Sequence, residues 1–262
     1  MGFVNLELLK WPEAVDLRES GEAIGLIATG ALEAHGPHLP LIMDTQHAVV
    51  LSREIANRIR EPVVVPPVIR LGLSDMFLAF PGTVSITADV MKGLFQAYLE
   101  AFERMGITRV AIVSCHSPNM EVAQEFAAEY TASHPDSRVM AWFDNDRFND
   151  VMFTAADGAP PEGPQGEHAG RLETSISLAA FPEGTVAPFD DIVGFTDFER
   201  EGWLDELFAN GMEALSPIAV LGEPRDATRE AGARIVSALA DECASWIAEA
   251  FGVSVVSAPQ AG

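Results

Sequence analysis

The sequence predicts a three-layer α/β/α fold with a mostly parallel central sheet. Two short and largely apolar runs, at 23–29 (AIGLIAT) and 109–115 (RVAIVSC), are typical of strands that are buried on both faces. Segments with helical spacing of apolar residues alternate with such runs along the chain. Because this alternation favours a parallel sheet covered by helices, we expect a single domain over residues 1–262.

Further elements follow from the same kinds of pattern. Apolar spacing predicts a helix at 44–60, and Thr87 is placed to cap a helix that Gly106 ends. The other expectations are an extended, proline-broken segment at 63–73, a strand at 138–143, helices at 170–180 and 227–251, irregular segments at 155–166 and 181–226, and a frayed tail from Ser254.

The charge of the chain excludes some classes of partner. The 39 acidic and 16 basic residues give a formal net charge of -23. Because this field repels phosphate groups, we expect neither a nucleic-acid partner nor an anionic membrane surface. Only Lys10 and Lys92 are lysines, and the excess of carboxylates equally suits a solvated acidic surface.

The cysteine and hydropathy patterns indicate a cellular compartment. Cys115 and Cys243 are too few for a disulfide scaffold, which favours a reduced environment. No apolar run approaches the ~20 residues that span a bilayer. Residues 1–11 also lack the basic region and apolar stretch of a secretory signal. We therefore expect a soluble, cytoplasmic protein.

Three of the six histidines lie in one short window with two acidic residues: Glu33, His35, His38, Asp44 and His47. Side chains at i and i+2 of an extended backbone share a side, so Glu33 and His35 can reach one point. Asp44 can return to that point after the turn GPHLP. Such ligands suit zinc, manganese or iron, and Asp44 is the candidate to bridge two ions ~3.5–4 Å apart. The alternative is a surface turn with chance polar residues.

A further histidine, His116, directly follows the predicted strand 109–115. Ligands collect at the carboxyl ends of strands in open α/β sheets, so this position favours chemistry. A buried polar residue needs a partner, which is either a metal ion or a hydrogen-bonding group of the core. Asn119 is better explained as a cap of the next helix. Cys115 is better explained as buried packing than as a nucleophile, because neighbouring strand residues face opposite ways.

The cluster GEHAGRLETS at 166–175 places two more candidates between a loop and a helix. His168 can enter a cleft from there and give a proton to a leaving amine. Glu173 lies on the first turns of the helix, where it is a metal ligand, a partner of a ligand, or a favourable charge at the helix N-terminus. The signatures of serine hydrolases, Walker-type nucleotide hydrolases and dinucleotide enzymes are missing from the sequence.

These motifs together resemble the creatininase (creatinine amidohydrolase) family. The resemblance is carried by four separated segments in the right order: TGALEAHGPHLPLIMDT (29–45), FPGTVS (80–85), SCHSPN (114–119) and GEHAGRLETS (166–175). It implies an α/β/α fold, a two-metal centre of divalent ions (Zn, Mn or Fe), hydrolysis of cyclic amides or related C–N bonds, and a homohexamer.

The resemblance also implies roles for individual residues. Glu33 and His116 would hold one ion, His35 the other, and Asp44 would bridge them. The proton-transfer role falls to His168, with Glu167 beside it.

Three departures from the family pattern limit the choice of substrate. In creatininase itself a glutamate follows the strand-end histidine by two residues and binds the second ion, but this chain has Pro118 there. Either Glu173 replaces that ligand or the second ion is weakly held. Creatininase closes tryptophans over creatinine, whereas Phe153 is the only aromatic residue at 151–166. Phe77 stands where many relatives have histidine, which makes the pocket more apolar.

The function expected from the sequence is therefore metal-dependent hydrolysis of a C–N bond in a small cyclic amide, lactam or formamide other than creatinine. One alternative within the same family is cleavage of a cyclic diketone or sugar-like ring. The other is a catalytically retired member with a binding or structural role.

Overall fold

The computed structural model describes residues 2–142, 144–159 and 167–256. Within them five strands form one sheet in the order β1-β3-β2-β4-β5, and every neighbouring pair is parallel. The strands are β1 (Phe3–Asn5), β2 (Ile24–Thr29), β3 (Val63–Val65), β4 (Arg109–Ser114) and β5 (Arg138–Ala141).

Helices cover both faces of this sheet. The helices of the described residues are α1 (Trp11–Ser20), α2 (Met43–Asn57), α3 (Ala88–Arg104), α4 (Pro118–Ser133), α5 (Asn145–Asp157), α6 (Arg171–Ala180), α7 (Trp203–Asn210) and α8 (Arg229–Phe251), of which α7 packs away from the sheet. Alternate residues of β2 point to opposite faces. Leu26 packs in the core shared with α2, α5, α6 and α8, while Ile27 packs in the core shared with α3 and α4. The predicted three-layer α/β/α fold is thereby confirmed.

The two central strands end side by side. β2 and β4 pair in register from Gly25 with Val110 to Thr29 with Ser114, and the Thr29 hydroxyl donates to Ser114 Oγ at 2.8 Å. The segments that leave these strands therefore begin at the same edge of the sheet. This is the edge at which open α/β sheets bind ligands.

Gly30 sets how closely α2 approaches the end of β2. A Cβ atom at this position would lie 2.4 Å from the backbone nitrogen of Thr45, closer than any side chain tolerates. The glycine hydrogen lets the first turn of α2 rest against the strand end. That turn carries Asp44.

Most predicted elements agree with the structure to within a few residues, and four expectations were wrong. The segment 181–226 contains α7, and α5 extends to Asp157 into the region expected to be a loop. Asn119 lies inside α4 rather than at its cap. The start of the tail is paired with the chain through hydrogen bonds from Arg60 to Ser254 and from Val256 to Arg58. Phe143, the last residue of the predicted strand, and residues 160–166 of the predicted irregular segment lie outside the described residues. None of the described helices is long and apolar enough to cross a membrane.

Candidate metal centre

Four predicted site residues meet at the carboxyl ends of β2 and β4. Glu33 and His35 lie on the segment that follows β2, and His116 lies two residues beyond β4. Asp44 is in the first turn of α2, where the helix dipole favours a negative charge. All four side chains are buried. The structure thus brings together the three residues that the spacing argument had grouped and His116, which the resemblance had added to them.

Asp44 lies between two imidazole rings. Its Oδ1 atom is 3.1 Å from His35 Nε2, and its Oδ2 atom is 3.2 Å from His116 Nδ1. The first contact is a hydrogen bond, whereas the second is within ion-pair distance without hydrogen-bond alignment. Each oxygen of this one carboxylate therefore faces a different histidine.

Glu33 occupies the side of the cluster next to His116. Its Oε2 atom is 3.5 Å from His116 Nε2, and its Oε1 atom is 3.8 Å from His168 Nδ1. Within the described part of the chain neither oxygen accepts a hydrogen bond, although the side chain is fully buried. A buried carboxylate without such partners is costly unless a cation compensates it.

Glu173 completes the side of the cluster next to His35. Its Oε2 atom is 3.6 Å from His35 Nε2 and accepts a hydrogen bond from the Ala169 backbone nitrogen at 2.6 Å. Ala169 has a positive φ of 55°, which turns the chain from His168 into α6. The sequence had left three roles open for Glu173. In the structure its carboxylate is directed at the histidine cluster.

The donor atoms form three groups that each suit a divalent cation. The groups are Glu33 with Asp44 and His116, His35 with Asp44 and Glu173, and Glu33 with His35 and His168, and within each group the ligand atoms lie within 4.8 Å of one another. Carboxylate oxygen with imidazole nitrogen is a donor set typical of zinc, manganese and iron sites. The residues present, including the unpartnered oxygens of Glu33, fit such ions.

The pKa values describe how the metal-free cluster balances its charges. Burial raises the pKa of Glu33 and of Glu173, each to about 7. Burial also opposes charge on Asp44, but His35 and His116 together outweigh it and hold the pKa of Asp44 well below its usual range. Burial disfavours both imidazolium ions, yet Asp44 raises the pKa of His35 to about 10, and Glu33 together with Asp44 raises that of His116 to about 9. Protons thus supply positive charge that divalent cations can replace.

His168 is held between two rings at the edge of this cluster. Its ring centroid lies 4.2 Å from that of His35 and 4.4 Å from that of Phe77. Its Nε2 atom is 2.7 Å from the Ala34 carbonyl oxygen, which can only accept, so Nε2 carries the hydrogen. Burial, with the nearby His35, holds the pKa of His168 well below its usual range. In the neutral ring the Nδ1 atom is therefore the basic one.

Glu167 makes contacts that the sequence had not suggested. Its Oε1 atom accepts hydrogen bonds from the backbone nitrogens of Leu172 and Glu173 at 2.9 and 3.1 Å. Burial, followed by the charge of Glu173, raises the pKa of Glu167 to about 8. These bonds tie the first turn of α6, which carries Glu173, to the segment that carries His168. The proton-transfer partnership with His168 stays a prediction.

Two histidines of the first motif lie outside the three groups of donor atoms. His38 Nε2 is 2.9 Å from Thr174 Oγ1, so it contacts the residue that follows Glu173. His47 is buried against Phe148, with ring centroids 6.2 Å apart, and its Nε2 atom has no hydrogen-bond partner in the described part of the chain. Neither is positioned as a ligand in the manner of His35.

Asn119 supports the end of the sheet instead of capping a helix. Its side-chain nitrogen donates to Thr29 Oγ1 and to the Gly30 carbonyl, and its oxygen accepts from the Leu73 backbone nitrogen at 3.0 Å. The residue at the N-cap position of α4 is Ser117. Asn119 therefore joins the segments that carry the cluster.

A cleft of about 1140 Å³ opens onto the cluster. Glu33, Asp44, His116, His168 and Glu173 lie at its floor. One wall is mostly polar and comes from α4 and α5, another is apolar and comes from α7 with the turn at Asp75–Phe77, and Trp142 and Trp246 also line the cleft. The sequence had missed the apolar wall because α7 is short and carries acidic residues, although its apolar residues at steps of four were a usable signal.

Comparison with known proteins gives one consistent family. The profile of the family described as creatinine amidohydrolase matches residues 7–247. The mycofactocin precursor peptide peptidase of Mycobacterium ulcerans (strain Agy99) is 30% identical over 239 residues, covering 85% of this chain and 84% of that protein. Creatinine amidohydrolase of Pseudomonas putida is 26% identical over 188 residues, covering 67% of this chain and 71% of that protein.

Solved structures with the same fold include metal-loaded enzymes. A manganese creatininase superposes with a TM-score of 0.73 at 24% identity and covers 95% of this chain and 98% of its own. A mutant creatininase complexed with creatine gives a TM-score of 0.77 at 23% identity and the same two coverages. A mutant creatininase of Zn–Zn type gives 0.74 at 24% identity, with coverage of 96% and 99%.

Proposed function

Because the chain belongs to the creatininase family, we propose that it is a metal-dependent hydrolase that cleaves an amide C–N bond. The observation that carries this proposal is the pair of ligand groups that share Asp44, one with Glu33 and His116 and the other with His35 and Glu173. In this proposal Asp44 holds both ions. Glu173 takes the role of the ligand that is missing at Pro118.

A divalent ion bound there supplies Lewis acidity, which polarises an amide carbonyl and makes a water molecule more acidic. His168 supplies the proton transfer. Since Nε2 is committed to the Ala34 carbonyl, Nδ1 takes a proton from the attacking water. The water oxygen bonds to the carbonyl carbon, the C–N bond breaks with its electron pair on nitrogen, and Nδ1 returns the proton to that nitrogen. The products are a carboxylic acid and an amine.

Two classes of amide are candidate substrates for this cleft. A small cyclic amide, lactam or formamide is the expectation from sequence, and a relative named creatinine amidohydrolase supports it. A peptide bond is the second candidate, supported by relatives named peptidases and by a cleft of about 1140 Å³. That volume exceeds the ~300–1,000 Å³ typical of small-ligand pockets, so it has room for a longer substrate.

The test combines metal analysis with turnover. Protein purified without chelator and reconstituted with zinc, manganese or iron should hold up to two ions per chain. It should hydrolyse a member of a panel of lactams, formamides and short peptides. The panel also includes cyclic diketones and sugar lactones, because turnover of these alone would favour the alternative chemistry. Less than about one ion per chain would favour a retired member.

A pair of variants makes this test specific. Asp44→Ala should lose bound metal and turnover together, whereas Asp136→Ala, which removes an exposed carboxylate, should keep both. A metal-free Asp44→Ala protein with full activity would contradict the proposal. The homohexamer and the cytoplasmic location stay predictions, which sedimentation and cell fractionation would test.

A further inference from the structure

The apolar wall of the cleft exposes large side chains that a folded protein normally covers. Leu204 and Phe208 lie one helical turn apart on α7, and 46% and 66% of their surfaces are exposed. Both line the cleft that contains the metal cluster. Because exposed apolar patches of this kind mark binding surfaces, the wall needs an apolar occupant.

The back of α7 is packed, so the wall is already formed. The Trp203 ring contacts those of Phe198 and Phe195, with centroids 5.4 and 6.0 Å apart. Arg200 lies over the Phe195 ring and pairs with Glu206 at 2.6 Å. These contacts hold the helix in place and leave Leu204 and Phe208 exposed to the cleft.

The wall runs without a break to the proton-transfer histidine. Leu207 and Met212 share one buried cluster with Phe77, and the Phe77 ring stacks on His168 at 4.4 Å. The lining from α4 and α5 is mainly polar, with Glu121, Gln124 and Asp144 nearby. The apolar Trp142 and Trp246 also line the cleft, but they belong to a different buried cluster from Phe77. An apolar substituent beside His168 is therefore directed to the α7 side.

We propose that the substrates are amides whose nitrogen carries a bulky apolar group, which binds against Leu204, Leu207 and Phe208. This inference rests on the proposed function, in which His168 returns a proton to the leaving nitrogen. The substituent on that nitrogen must then lie next to His168 and its neighbour Phe77. From there the apolar wall extends to Phe208, so the leaving amine is the apolar half of the substrate.

The proposal predicts which side of the amide controls the rate. Zinc-loaded protein should cleave N-(2-naphthylmethyl)acetamide with a kcat/KM about 100-fold above that for N-methylacetamide, from burial of the ring. The isomer N-methyl-2-naphthylacetamide carries the ring on the acyl side and should show no such gain. A larger gain for this isomer would overturn the orientation.

A variant of the wall tests whether Phe208 binds the substrate or only stabilises the fold. Phe208→Ala should lower kcat/KM for the naphthylmethyl amide about tenfold more than that for N-methylacetamide. Leu8→Ala is the matched control, because Leu8 is 72% exposed and is not among the residues that line the cleft. An equal loss on both amides for Phe208→Ala would show a structural role and overturn the proposal.

A binding measurement keeps the wall testable apart from turnover. The inert N-(2-naphthylmethyl)methanesulfonamide should bind at least about tenfold more tightly than N-methylmethanesulfonamide, and Phe208→Ala should abolish the difference. If both compounds have equal Kd values and amides are still hydrolysed, the proposed binding role of the wall is overturned and the proposed function stays intact. A missing hydrolysis of all amides overturns the proposed function and with it the leaving-group assignment. A sedimentation change in Phe208→Ala without a change in Kd identifies an interface between copies and also overturns the proposal.

Discussion

The His35 ring and the Asp44 carboxylate are joined by a hydrogen bond of 3.1 Å between Nε2 and Oδ1. His35 lies on the segment that follows β2, whereas Asp44 lies in the first turn of α2. The contact depends on the close approach of α2 to the end of β2. Because the second oxygen of Asp44 faces His116, this carboxylate links the two halves of the cluster.

Replacing Glu173 with glutamine should remove one ion and keep the other. The amide oxygen of Gln can still accept from the Ala169 backbone nitrogen, but it lacks the negative charge that faces His35. We expect metal analysis to give about one ion per chain and a loss of activity of at least about 100-fold. Glu121→Gln, a change at another carboxylate of the cleft, is the control. Unchanged stoichiometry in Glu173→Gln would remove this residue from the ligand set.

Replacing Gly30 with alanine should disturb the metal site by displacing backbone atoms. Its Cβ atom would meet the Thr45 nitrogen at 2.4 Å and displace the turn that carries Asp44. We expect a loss of stability of about 1–3 kcal/mol and weaker metal binding. Gly93→Ala on α3 is the matched control, because nothing lies within 4 Å of the added atom. That change should leave stability equal or raise it by up to about 1 kcal/mol. Denaturant unfolding of both variants measures this difference in stability.

His38 should act on metal binding through Thr174. The hydrogen bond of 2.9 Å between them holds the residue next to Glu173. His38→Ala and Thr174→Val should each weaken binding of the second ion about 10- to 100-fold. Because both changes remove the same contact, the double variant should be little worse than either single one, as titration calorimetry can measure. Fully additive losses would mean that the two side chains act separately.

The buried His47 should make the fold sensitive to acid. Burial lowers the pKa of His47 from its ordinary 6.5 to about 4 in the folded protein. The unfolded chain therefore binds more protons between these two values, and stability falls as the pH drops from about 7 towards 4. Between pH 7 and pH 5 this one group costs about 2 kcal/mol. In chelator-treated protein, His47→Leu should lose that part of the pH dependence. An identical pH profile for the variant and the parent chain would contradict this cause.

The part of the site that follows from local spacing was predictable from sequence. Glu33, His35 and Asp44 lie within one short segment, and His116 follows an apolar strand, so their places in the sequence indicate the edge of the sheet at which they lie. The fold class was predictable for the same reason, since buried parallel strands read as apolar runs. That the whole chain forms a single domain stays a prediction.

What was missed depends on contacts between distant segments. The bonds of Glu167 to the start of α6 involve backbone nitrogens, which the sequence does not distinguish. Asn119 was assigned to a helix cap because its alternative partners, at Gly30 and Leu73, are far away in the chain. The segment of α7 was expected to be irregular because its two acidic residues interrupt the apolar spacing.

The cluster is assembled from segments that are far apart in the chain, as the contact between His35 and Glu173 shows. During refolding, its first ion site needs only the strand ends and α2, whereas Glu173 and His168 arrive with α6. A fragment that ends before residue 160 would keep four of the ligands and hold one ion at most. Uptake of the second ion therefore reports that the carboxyl-terminal half of the chain has docked.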